Sequence, residues 1–117
     1  MTIISGDAGG ITFRVTGSNF YLFAIAPDGS YHFDSVNGIS LPTVVRQGTN
    51  PAIHTGLNQS NLIAVVAIGN SISLYVNNNF LVKVTDSTYS SGQIGVAASE
   101  NSNATDVIFS NARVWKM

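Results

Sequence analysis

Hydrolysis of a glycosidic bond needs titratable groups that converge, and this sequence keeps its own apart. A retaining sugar hydrolase sets two carboxyl groups about 5 Å apart, one as acid and one as nucleophile. Here Glu100 is the one glutamate, in a polar stretch, while Asp7, Asp28, Asp34, Asp86 and Asp106 occur singly. Asp28 in Pro-Asp-Gly and Asp86 in Thr-Asp-Ser-Thr fit turn residues whose carboxylates accept local backbone hydrogen bonds. No catalytic residue is assigned, and the chain is not expected to be an enzyme. The densest pairing is His32 with Asp34, two residues apart on one strand face, with Arg14 on a candidate neighbouring strand. Such a trio suits a sugar hydroxyl or a carboxylate ligand; a solvated surface cluster is the plainer explanation.

Other chemistries find less support. There is no cysteine, which excludes disulfides and thiolate metal sites. His54 has no acidic or cysteine partner nearby in sequence, so no zinc set is assigned. The cations Arg14, Arg46, Lys83, Arg113 and Lys116 are scattered and the net charge is −1, so a nucleic-acid backbone finds no basic stripe. Sugar-binding sandwiches usually pair an aromatic platform with polar side chains. Tyr31, Tyr75 and Trp115 are the candidates retained, beside Tyr21 and Tyr89. Tyr75 alternates against Leu74 and Val76, and Trp115 against Val114. The alternative is that these rings pack under loops or cover a second sheet face.

The elements that must position these residues follow a period of two. Ile72, Leu74 and Val76 oppose Ser71, Ser73 and Tyr75; beyond Asn77-Asn78-Asn79 the alternation resumes with Phe80, Val82 and Val84. Asparagine tolerates the positive φ that a tight hairpin needs. Strands are expected at 2–5, 11–16, 20–26, 30–35, 41–47, 62–68, 71–76, 80–85, 92–99 and 106–115, with Gly6-Asp7 and Gly9-Gly10 breaking the first from the second. The segments 20–26 and 62–68 are apolar on both faces and read as strands covered on each side. The strand at 41–47, with a proline near its start, suits an edge. No helix, repeat or linker is evident.

About ten short strands in 117 residues predict one all-β domain over residues 1–117, an antiparallel, jelly-roll-like β-sandwich of two sheets. The chain is 44% apolar and only 9% charged, a balance common in secreted β-proteins and in self-assembling subunits. The start lacks the basic and apolar regions of a signal peptide, and the longest apolar run is far short of a membrane span. Cellular location is left open, with an extracellular or cell-surface setting the one that composition favours.

Several segments are similar to known sequences. Gly-Gly-Ile-Thr-Phe-Arg-Val at 9–15, Asn-Phe-Tyr-Leu-Phe-Ala-Ile-Ala-Pro-Asp-Gly-Ser-Tyr at 19–31, the stretch 61–77, Val84–Val96 and Asp106–Trp115 resemble the concanavalin A-like lectin/glucanase superfamily. Laminin-G-like modules and domains related to 3-keto-disaccharide hydrolases are the nearest in character. The resemblance implies a lectin-like sandwich. Its glucanases carry paired carboxylates in an E-x-D-x-x-E-like order, which is missing here. Its lectin-like members often bind calcium, for which Asp86, Asn101, Asn103 and Asp106 offer oxygens without D-x-D-x-D spacing. No cofactor is expected, and calcium is the alternative left open. Relatives usually have further strands before the 9–15 segment, so a trimmed sandwich with open sheet edges is expected to form a homo-oligomer. The resulting reading is a non-catalytic module that binds carbohydrate or a protein surface. The alternatives are a structural subunit of an oligomer, fibre or shell and, less well supported, a sugar-acting hydrolase.

Overall fold

The structure, a computed structural model, describes residues 1–38, 42–99 and 105–109. The described residues form ten strands: β1 (Thr2–Ser5), β2 (Ala8–Thr16), β3 (Asn19–Ile25), β4 (Ser30–Val36), β5 (Thr43–Thr49), β6 (Ile63–Ile68), β7 (Ser71–Val76), β8 (Asn79–Thr85), β9 (Gln93–Ser99) and β10 (Asp106–Ile108). They form an antiparallel five-stranded sheet in the order β5-β4-β3-β2-β9, a three-stranded sheet β6-β7-β8, and the pair β1-β10. No helix occurs among the described residues.

Alternation decides what each sheet buries. Phe13, Tyr21, Phe23, Ile25 and Phe33 point from three adjacent strands of the five-stranded sheet into one core, where Ile72, Leu74, Val76 and Val84 meet them from the smaller sheet. The registers Phe13↔Tyr21 and Phe23↔Phe33 set the rings side by side. Phe13 and Phe33 stack at 5.9 Å, and Tyr21 lies 5.1 Å from Phe33. Aromatic pairs of this kind add about 0.5–1.5 kcal/mol each beyond their buried area. The middle strand of the five is β3, and its buried run Tyr21–Ile25 matches the expectation of cover on both faces.

Two expectations are corrected. The strand at 62–68 is not covered on both sides: Leu62 and Ile68 are more than half exposed. It is an end strand of a three-stranded sheet whose outer surface carries Ala64, Val66 and Ile68, opposite Tyr75, Ser73 and Ser71. Nor do Gly9 and Gly10 break the chain; β2 runs through both. A Cβ on Gly10 would stand 1.9 Å from the Phe23 carbonyl oxygen and 2.6 Å from the Ala24 Cα. These glycines mark a close approach of backbones rather than a turn.

The asparagine turn forms as its chemistry requires. Asn77 and Asn78 hold φ of 51° and 65° between the paired residues Val76 and Asn79. Positive φ at both central residues is the hairpin turn that matches strand twist. Asn77 also ties three segments together: its Nδ2 donates to the Ala52 carbonyl and to Asn61 Oδ1, and its Oδ1 accepts from the Leu62 amide.

Candidate functional site

The outer face of the five-stranded sheet holds the principal candidate. Its residues alternate with the core set: Leu22 and Ala24 on β3, His32 and Asp34 on β4, Val44 and Gln47 on β5. Register aligns them in two rows, Leu22↔Asp34↔Val44 and Ala24↔His32↔Gln47. The second row forms because β5 carries a bulge, with Phe33 opposite Arg46 but Asp34 opposite Val44. A depression of about 530 Å³ lies over these rows, also lined by Pro42 and Thr49.

Asp34 is 5% exposed. Its Oδ2 lies 2.8 Å from His32 Nδ1, and its Oδ1 is buried with no hydrogen-bond partner among the described residues. A carboxylate beside Nδ1 favours the tautomer in which Nδ1–H donates and Nε2 is left as acceptor. The His32 side chain is 28% exposed, so the pair runs from a buried acid to an accessible imidazole. A carboxylate set against Nδ1 is the pairing that fixes an imidazole's orientation in a catalytic triad. Ser30, on the same strand face, donates its Oγ to Asp28 Oδ1 instead. The arrangement can bind and orient a polar ligand.

Arg14 does not join this pair. Strand β3 stands between its strand and β4. Arg14 sits at a bulge in β2 with φ of 52°, is 8% exposed, and donates from Nη1 to the Tyr89 carbonyl at 3.0 Å. Its work is to hold the segment after β8. The same segment is held by Tyr21, whose hydroxyl donates to Asp86 Oδ1 and accepts from the Tyr89 amide. Tyr89 in turn donates its hydroxyl to the Val36 carbonyl at 2.6 Å. Burial, then the bond to Asp86, pushes the Tyr21 phenol above its ordinary value of 10.0. Burial also opposes ionisation of Asp86, but hydrogen bonds from Tyr21 and Thr88 outweigh it and hold this carboxyl below its ordinary 3.8.

Of the other sequence candidates, Tyr31 also borders the depression, its ring packed against the core and beside Gly48 at the β5 edge, and the rest are dispersed. Tyr75 lies on the outer face of the three-stranded sheet, edge-on to Phe80 at 5.7 Å. There it borders a mainly apolar depression with Leu62, Ala64 and Val66. Trp115 lies outside the described residues, as do Asn101 and Asn103 of the calcium alternative. Asp86, also of that set, serves its own turn by accepting from the Thr88 amide at 2.9 Å. Asp28 does likewise with the Ser30 amide. His54 Nδ1 is 2.8 Å from the Ser60 carbonyl. Among the described residues no group of three or more His, Cys, Asp or Glu could hold a metal ion, and no helix is long and apolar enough to cross a membrane.

Sequence reasoning missed Leu22, Val44 and Gln47. Their alternation was visible, but the bulge that brings Gln47 opposite His32 has no signal in the residue types.

No protein-family model and no curated protein sequence matches the chain. A solved structure does, that of a carbohydrate-binding module, CBM66, from Bacillus subtilis. It superposes with a TM-score of 0.71 over 81% of this chain at 24% sequence identity. The chain spans 60% of the length of that module. The two share a β-sandwich fold.

Proposed function

We propose that the chain is a non-catalytic carbohydrate-binding module that holds a sugar on the outer face of its five-stranded sheet. One observation carries the reading: Asp34 Oδ1 is a buried carboxylate oxygen without a donor among the described residues, and Asp34 lines an open depression. An unmet buried acceptor is unfavourable by about 1–3 kcal/mol, more when charged, and a ligand hydroxyl would satisfy it. His32 Nε2 and the Gln47 amide offer further polar contacts, and Leu22 and Val44 offer apolar walls to the C–H face of a sugar. The likeness to a carbohydrate-binding module supports this reading, as does the sequence resemblance to concanavalin A-like lectins. Isothermal calorimetry on ligands found by glycan array tests it. Asp34→Asn and His32→Ala should each weaken binding at least about tenfold, and Tyr75→Ala should leave it unchanged. The reverse pattern would move the site to the other sheet and overturn the assignment.

A self-associating structural subunit is the second reading, favoured by a different observation. Leu62, Ile68, Phe80, Ile94 and Val96 are each more than half exposed, on a chain with only 9% charged residues. It is tested by light scattering at high micromolar concentration, where a stable monomer would rule it out.

A further inference from the structure

The His32–Asp34 depression also discriminates among sugars, an inference that rests on its reading as a carbohydrate site. We propose that it takes uncharged glycans and excludes those bearing carboxylate or sulfate groups.

The argument is one of donors and acceptors. Asp34 presents Oδ1, an acceptor without a donor. His32 has its Nδ1 engaged with Asp34 Oδ2, and in the Nδ1–H tautomer its free Nε2 is a second acceptor. The two side chains stand on one strand face, two residues apart, and both the buried Oδ1 and the more exposed Nε2 ask the ligand for hydrogens. A sugar hydroxyl supplies them. A carboxylate or sulfate brings acceptors only.

The charges around the depression reinforce this. Recognition of anionic groups relies on arginine forks or lysine. Among the described residues, no lysine or arginine lines the depression. The adjacent strand β3 has no charged residue. On β5, Arg46 is paired with Phe33, whose ring lies in the core on the opposite side of the sheet from Asp34. Among the described residues, the negative charge of Asp34 is therefore not offset by a lysine or arginine on this face. An acidic sugar would set a like charge beside the buried carboxylate of Asp34.

Affinity electrophoresis tests this, with gels containing dextran, xylan, mannan or galactan against gels containing polygalacturonate, alginate or heparin. At least one neutral polysaccharide should retard the protein, with affinity at least about tenfold above that for any acidic one. Asp34→Asn removes the charge and adds an amide donor. Neutral binding should fall, and the discrimination should shrink to within about threefold. Asp34→Ser serves the same purpose should the amide variant fold poorly, with circular dichroism as the check. Retardation by an acidic polysaccharide at least as strong as by any neutral one overturns the inference while leaving sugar binding intact. So does discrimination unaltered in both variants. Retardation by none of the seven removes the sugar-binding reading and this inference with it.

Discussion

Replacing Asp34 with valine should make the protein more stable, against the usual direction of core substitutions. The side chain is 7% exposed and lies between Leu22 and Val44 on the two flanking strands. Removing the unmet Oδ1 acceptor recovers about 1–3 kcal/mol. A β-branched side chain in that cross-strand row adds about 0.2–1 kcal/mol. Against this stands the bond from His32 Nδ1 to Oδ2 at 2.8 Å. Bonds to charged groups contribute about 1.5–3 kcal/mol, but the partly exposed imidazole regains water, so the loss is nearer 1 kcal/mol. The balance is a gain of about 1–2 kcal/mol, or a rise in Tm of roughly 3–10 °C for a domain of this size. Differential scanning calorimetry with urea denaturation reads it, and glycan binding should vanish in the same variant. A loss of 1 kcal/mol or more would refute the reasoning, because it would make Asp34 a structural residue whose oxygens are both in use.

The segment after β8 gives the next tests. Tyr21→Phe removes a buried hydroxyl that donates to Asp86 and accepts from the Tyr89 amide. It should cost about 1–3 kcal/mol and speed amide exchange at Tyr89, both readable by NMR. Asp86 and Asp28 both have folded-state carboxyls held below their ordinary 3.8. A depressed carboxyl stabilises the fold above its unfolded value and loses that contribution as pH falls through the folded one. Urea midpoints should therefore fall as pH drops below about 4, and Asp86→Asn should flatten that slope. Gly10→Ala would drive a methyl into the Phe23 carbonyl. It should destabilise by more than about 3 kcal/mol, seen as loss of soluble folded protein or a collapsed Tm.

The sandwich was legible because its signals are local. Alternation at 71–76, the run of apolar residues at 20–26 and the asparagines at 77 and 78 each state their own geometry, and the strands follow. What escaped depends on long-range partners. Leu62 to Ile68 has the composition of a strand covered twice, but only the number of strands above it decides whether cover exists. Gly9 and Gly10 look like a break because a glycine chosen for backbone approach and one chosen for a turn are the same residue. The His32–Asp34 pairing on one face was visible from spacing. The unmet oxygen of Asp34 was not, since it depends on what every neighbouring side chain declines to offer. Arg14 was grouped with that pair as a residue of a neighbouring strand, but β3 lies between and a bulge turns its guanidinium to the Tyr89 carbonyl.

The most direct test of a glycan site on the five-stranded sheet is an NMR titration of the labelled protein with a neutral oligosaccharide. The account predicts the largest shift changes at Leu22, His32, Asp34 and Gln47, with the His32 ring nitrogens responding. Changes centred instead on Leu62, Val66, Tyr75 and Phe80, with His32 and Asp34 unmoved, would contradict it.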